Sequence, residues 1–160
     1  MVNGITLRHV IEDDLPIFYE QQLDPVATQM AAFPAREREP FLLHWRNIMA
    51  DETVILRTIL FEGNVAGNIV SFLQSREQEV GYWIGRQYWG KGIATEALRQ
   101  FLEQLEMRPL YAHVAKHNAG SRRVLEKCGF RVLREDKGYA VEPETQVVDE
   151  FVMVLDDRSS

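Results

Sequence analysis

The chain has a single cysteine, Cys128, so no disulfide can close within it. That scarcity suits a reducing compartment, and a cytoplasmic location is expected. No apolar run approaches the roughly 18 residues of a membrane span, so no membrane contact is expected. Asn3, Gly4 and Thr6 interrupt the opening residues, which leaves no secretory-leader pattern there. Basic residues are in the minority: 18 Lys and Arg stand against 24 Asp and Glu, a net charge of −6. A general nucleic-acid binder would show a basic face instead, so no direct nucleic-acid contact is expected. The four histidines, His9, His44, His113 and His117, lack convincing ligand spacing, and no metal is expected. Internal repeats and low-complexity segments are also missing. What remains is ordinary for a globular protein: 160 residues, 46% apolar and 26% charged. That length suits one domain over residues 1–160 with a sizeable core.

Strand and helix signals alternate along the chain. Ile5 to Val10 reads as a first strand. Asp13 and Asp14 precede Leu15, Ile17 and Phe18, an acidic helix start that tolerates Pro16 in its first turn. Asp24 to Pro40 reads as irregular, interrupted by Pro25, Pro34 and Pro40. Phe41, Leu42, Trp45, Ile48 and Met49 then fall on one helical face. Thr53 to Phe61 and Val65 to Leu73 read as strands joined by a turn at Glu62, Gly63 and Asn64. A further strand runs from Glu77 to Ile84. Ala94, Ala97, Leu98, Phe101, Leu102 and Leu105 trace the clearest helical stripe. Leu110 to Ala115 reads as a strand. Asn118 opens a second helix, and Gly129 ends it. Phe130 to Arg134 and Gln146 to Leu155 complete the strands. The expected order is β-α-α-β-β-β-α-β-α-β-β, an α/β sandwich with a mixed sheet. The strand–helix–strand unit over residues 80–115 should be parallel and right-handed.

The segment Gln87-Tyr88-Trp89-Gly90-Lys91-Gly92-Ile93-Ala94 joins a strand to that clearest helix. Such a junction points several N–H groups and the positive helix end into one hollow, a natural phosphate site. A nucleotide P-loop is one reading, since Gly85 and Gly90-Lys91 have the right spacing. It fails where Ser or Thr should bind magnesium, because that position is Gly92. A dinucleotide fingerprint fails at its third glycine, which is Thr95 here. A glycine-eased turn with no ligand is the plain structural alternative.

A second segment shifts the balance: Asn118-Ala119-Gly120-Ser121-Arg122-Arg123-Val124-Leu125-Glu126-Lys127-Cys128-Gly129-Phe130. With both segments, the chain resembles the GNAT superfamily of acetyl-CoA-dependent N-acetyltransferases. It looks most like the branch of the RimJ and RimL ribosomal-protein N-terminal acetyltransferases. The family's pyrophosphate loop, Q/R-x-x-G-x-G/A, is matched by Gln87, Gly90 and Gly92. Its later helix pattern is matched by Asn118, Ser121, Lys127, Gly129 and Phe130. The resemblance implies a GNAT fold: a mixed, mostly antiparallel sheet of about seven strands, helices on both faces, and a splayed parallel strand pair. Here that pair would be Val80 to Ile84 and Leu110 to Ala115.

The resemblance also implies acetyl-CoA as cosubstrate, bound without metal, and an amine acceptor attacking directly in a ternary complex. Amides of roughly Trp89 to Ala94 would hold the pyrophosphate, with Gln87, Lys91, Gly92, Ile93 and Thr95 around it. Packing around the ligand would leave no room for a Cβ at Gly90 or Gly92. The strand before the loop would carry a β-bulge, with Trp83, Ile84 and Gly85 as backbone partners of the pantetheine. An amide there, Ile84 first, would stabilise the oxyanion. Asn118 is a helix cap, a pantetheine contact or both. Many members place a tyrosine on this helix to protonate the leaving thiolate; none lies between Asn118 and Phe130. Ser121 is the implied substitute, although a serine is a poor acid. Arg122, with Arg123, Lys91 and Lys116, could meet the adenosine phosphates or stay solvated. Glu79 is the first choice for a base acting through water, with His113, Glu135 and Asp149 open. Cys128 reads as a buried small residue. A non-catalytic acyl-CoA-binding module is the alternative of a different class. The acceptor would be a protein N-terminus or a small amine. Its site is expected between the first two helices, the loop of Met30 to Arg38 and the loop before the last strand. The oligomeric state is open between monomer and homodimer.

Overall fold

A computed structural model describes residues 2–139 and 147–156 of the chain. The loop expected before the last strand and the tail beyond residue 156 lie outside the described residues. Among the described residues seven strands form one sheet: β1 (Ile5–Arg8), β2 (Ile55–Phe61), β3 (Asn64–Gln74), β4 (Glu77–Ile84), β5 (Leu110–Ala115), β6 (Arg131–Tyr139) and β7 (Val147–Leu155). Their order is β1-β2-β3-β4-β5-β7-β6. Every neighbouring pair is antiparallel except β4 and β5, which are parallel.

Helices cover both faces. On one, α4 (Ile93–Gln104) and α5 (Ala119–Lys127) bury Ala97, Leu98, Phe101 and Leu125 against Ile59, Ile69, Val80 and Val114. On the other, α1 (Leu15–Gln21) and α3 (Arg38–Ala50) bury Phe18, Phe41 and Trp45 with Leu56. Alternation along each strand gives the sheet its two apolar faces. The hairpin between β2 and β3 turns through Glu62 and Gly63, both at positive φ.

The structure corrects the sequence reading at three places. The stretch read as irregular contains α2 (Pro25–Ala31). Its prolines do not break it: Pro25 occupies the first helical position, where no N–H is needed. Asp24 caps it, accepting from Val26 N at 2.8 Å and Ala27 N at 3.3 Å. Pro40 sits within the first turn of α3. Secondly, β6 runs on through Glu135, Asp136 and Lys137. It lies at the sheet edge, where charged side chains are tolerated and guard against further pairing. Thirdly, no bulge occurs in β4: its register against β3 is continuous from Gly67↔Ile84 to Gln74↔Glu77. The irregularity lies one strand away, at Ala66 between β3 and β2.

Asp14, read above as part of a helix start, is an anchor. It is 2% exposed and accepts from Arg8 Nη1 at 2.8 Å, Thr58 Oγ1 at 2.6 Å and Ile11 N at 3.0 Å. Burial alone would push its carboxyl up, but these hydrogen bonds outweigh that and hold it below the usual value.

Candidate active site

After β4 the chain makes a single tight turn, Arg86–Tyr88. Tyr88 N donates to Gly85 O at 2.8 Å and Trp89 N to Arg86 O at 3.0 Å. Gly90 and Gly92 then take φ of 77° and 79°. Gly92 is the N-cap of α4, and no side chain caps that helix. Among the described residues, the main-chain N–H groups of Gly90 through Thr95 donate to no protein acceptor. The start of a twelve-residue helix therefore keeps its first amides unpaired, and the acid in its first turn, Glu96, is bonded to Arg99 and Gln100. The Trp89 amide, expected to join it, is already spent in the turn. The glycines are needed for backbone conformation more than for space. A Cβ on Gly90 would meet nothing within 4 Å, whereas one on Gly92 would come 2.7 Å from Val2 Cγ2.

The neighbouring gap follows from register. Gly85 N donates to Ala66 O at 2.8 Å, so hydrogen-bonded pairs alternate back along β4 from there. Trp83 and Gly85 thus turn their main-chain groups toward β3, not toward a ligand. Val80, Tyr82 and Ile84 turn theirs toward β5. The two parallel strands share only the Glu79↔Tyr111 pairing, so beyond it the edges of Tyr82 and Ile84 face an open gap. The Ile84 carbonyl accepts from Trp89 Nε1 at 2.9 Å; its N–H faces the gap. Gly67 sets this strand's position from behind, because a Cβ there would lie 2.0 Å from Trp83 O and 3.0 Å from Ile84 Cα. Both neighbours are backbone. Gly67→Ala should cost about 1–3 kcal/mol in chemical denaturation and weaken any ligand that uses the β4 edge.

A cavity of about 600 Å³ joins the loop to the gap. It brings together most of the residues singled out above: Trp83, Ile84, Trp89, Gly90, Gly92, Ile93, Ala94, Thr95, Asn118 and Ser121. Asn118 caps α5, its Oδ1 accepting from Ser121 N at 3.1 Å. Other expected residues stand outside. Gly85 and Gln87 line a separate hollow beside α1. Lys91 and Glu79 do not reach the cavity wall. Arg122 turns away, with its guanidinium 4.8 Å from the Phe151 ring centroid; Arg123 and Lys127 are the cations that line the cavity. Lys116 is paired with Glu135, and Lys137 approaches Asp149 at 3.6 Å. Missed by sequence were Tyr82 as a lining hydroxyl and α2, whose Ala27, Met30 and Ala31 form one wall. His117 Nε2 lies 2.9 Å from Gln29 O, which ties α2 to the loop before α5. Cys128 Sγ reaches Thr95 O at 3.6 Å, and burial pushes its thiol up, away from nucleophilic use.

Glu79 is buried on the opposite face of β4 from Tyr82. It stands five positions from Ile84 on that strand, about 16 Å by strand rise. His113 bridges it to a second acid: Nε2 is 3.3 Å from Glu79 and Nδ1 is 2.8 Å from Glu150. Hydrogen bonding to Glu150, then to Glu79, pushes the imidazole up to about 10. His113 is therefore a held cation at neutral pH, not a base. Glu77 also comes near, and ligand atoms of Glu77, Glu79 and His113 lie within 4.8 Å of one another. Both ring nitrogens of His113 already face carboxylates, and ion pairing accounts for that proximity. The folded value lies above the ordinary 6.5, so this bridge stabilises fully below pH 6.5 and is lost as pH rises through 10. Urea midpoints should fall between those limits in the wild type and be flatter for His113→Gln.

Three comparisons bear on this geometry. The family model described as "Acetyltransferase (GNAT) domain" matches residues 5–131. YdaF of Bacillus subtilis (strain 168), named provisionally as a ribosomal N-acetyltransferase, is 35% identical over 100 residues, covering 58% of this chain. The match spans 55% of that protein, so the chain accounts for about half the length of this curated relative. A solved structure titled "Probable acetyltransferase" is 27% identical, with a TM-score of 0.75 and coverage of 97% of this chain and 94% of that one. Spermidine N-acetyltransferase of Vibrio cholerae, solved with CoA and spermine, has a TM-score of 0.79. It covers 96% of this chain and 97% of its own, and at 18% identity it shows the shared fold alone. Among the described residues no helix is long and apolar enough to cross a membrane. An uncapped helix start behind two positive-φ glycines, a half-zipped parallel strand pair, and a family match over residues 5–131 agree: the chain belongs to the GNAT acetyltransferase family.

Proposed function

We propose that residues 1–160 act as one acetyltransferase domain that moves an acetyl group from acetyl-CoA to a primary amine. The observation that carries this is the run of unanswered amides from Gly90 to Thr95, opening onto a cavity that continues along the free edge of β4. The residues fit the cosubstrate: N–H donors and a helix dipole for a diphosphate, two cavity cations for further phosphate, and a strand edge for an amide-bearing arm. Acetyl-CoA would supply the activated acetyl group. Gly90 through Thr95 hold the diphosphate. The edge groups of Tyr82 and Ile84 pair with the acyl-pantetheine, and the Ile84 N–H receives the charge that develops on the thioester oxygen. Ser121 faces the sulfur. Glu79, about 16 Å along β4 from Ile84, takes the amine's proton only by way of water.

Among the described residues no free base stands close to the Ile84 edge, and this favours an acceptor that is partly neutral already. A protein α-amino group, with a pKa of about 8, meets that need better than a lysine at about 10.4. The name of YdaF supports the same choice and a place in the RimJ/RimL-like branch. The test is a thiol-release assay with acetyl-CoA against alanine- and serine-starting peptides, spermidine and free lysine. Turnover with the peptides is expected. Tight CoA binding without turnover on any of them would favour a non-catalytic module, and turnover on spermidine alone would move the acceptor to small amines.

A further inference from the structure

Tyr82 leaves β4 on the side of α5, and its Oη lies 2.8 Å from Ser121 Oγ. Both residues line the cavity. Among the described residues neither hydroxyl has another hydrogen-bond partner. A pair of hydroxyls shares one proton between its oxygens, and the second proton is left to point elsewhere. Each oxygen could in principle be the donor. The phenol is the stronger acid of the two, and a phenol that donates frees the serine proton to face the open side. Burial pushes the phenol up to about 12, so it stays protonated and cannot serve as a base at neutral pH.

We infer that Tyr82 is a positioning residue: its phenol donates to Ser121 Oγ and aims the serine O–H at the acyl-carrying sulfur of the bound thioester. The inference rests on the acetyl-transfer reading and adds how the leaving group is received. In the reaction the amine lone pair forms the N–C bond, and the C–S bond breaks with its electron pair going to sulfur. The amine's surplus proton goes to water. The Ser121 proton stays on oxygen and hydrogen-bonds the growing thiolate. The Tyr82 donor behind it polarises that bond and strengthens it. A serine, a poor acid alone, becomes an adequate hydrogen-bond donor in this arrangement.

The test needs no acceptor. CoA itself is bound to the protein, and its thiol is titrated by ultraviolet thiolate absorbance. With the wild type, the bound thiol should ionise at lower pH than the thiol of free CoA in the same buffer. Tyr82→Phe, which keeps the main-chain edge of β4, should still bind CoA at pH values where the thiol is protonated and should move that titration up by about one unit, a tenfold loss in thiolate stabilisation. Ser121→Ala should do the same, the double variant should add little, and Ser121→Thr should restore the wild-type value. An unchanged titration in a Tyr82→Phe protein that still binds CoA would overturn the inference and leave the acetyl-transfer reading standing. A wild type that binds no CoA would remove both.

Discussion

Gly92→Asp should lower CoA affinity by about 100-fold, close to 2.7 kcal/mol, while the protein melts within a few degrees of the wild type. The two readouts separate because the substitution costs the fold little and the ligand much. On the fold side, Gly92 caps α4 at φ 79° with no side-chain cap. An aspartate tolerates that left-handed conformation better than most residues, so the strain should stay at about 1 kcal/mol. Its Cβ would meet only the far end of Val2, a side chain free to turn. On the ligand side, the same carboxylate would take the first-turn amides for itself and set a negative charge where a diphosphate belongs. Gly92→Ala is the control, since it adds bulk without charge and should cost less affinity. Calorimetric CoA titration and thermal melting of the three proteins check this. Equal CoA binding by the aspartate variant would refute the loop assignment.

Asp14→Ala should cost about 3 kcal/mol in chemical denaturation, the range for breaking a buried, hydrogen-bonded ion pair. The loss has three parts. Arg8 keeps a route to water, with 36% of its side chain exposed, and so recovers some solvation. Thr58, fully buried, loses its acceptor and becomes an unsatisfied hydroxyl. Ile11 N loses its partner at the turn into α1. Asp14 thus joins β1, β2 and the start of α1, on the face away from the cavity. CoA affinity of the surviving folded protein should be nearly unchanged, which distinguishes this anchor from Gly92. A loss below 1 kcal/mol would show that water replaces the carboxylate and that the site is less dry than its burial implies.

The parts of the fold legible in the sequence are those where local chemistry and packing agree. α4 carries a clean apolar stripe, and the turn of Glu62, Gly63 and Asn64 holds a glycine able to take positive φ. β5 was bounded by Pro109 and its own apolar run. α2 is hidden in the sequence because its prolines look like breakers, although Pro25 follows a capping aspartate. β6 looks shorter than it is because Glu135, Asp136 and Lys137 resemble a loop; its place at the sheet edge makes a charged strand sensible. The site followed the same division. The glycine loop and Ser121 were visible because their chemistry is local. The direction of each amide on β4 was not, since it depends on the register with β3 and on a bulge at Ala66. Gly67 carries no signal in its own neighbourhood, because its crowding comes from the backbone of the next strand. The His113 bridge joins β4, β5 and β7, and no sequence spacing encodes it. Arg122 and Arg123 are adjacent in the chain, and only helix rotation decides which one meets the cavity.

The most direct measurement is an amide-resolved ¹H–¹⁵N NMR titration of the protein with CoA. Signals from Gly90, Lys91, Gly92, Ile93, Ala94 and Thr95 should shift strongly downfield and saturate together, as N–H groups that gain a phosphate acceptor do. Those of Trp89 and Gly85, already bonded within the protein, should move far less. Saturable CoA binding that leaves the first group unmoved and shifts amides elsewhere would contradict the account.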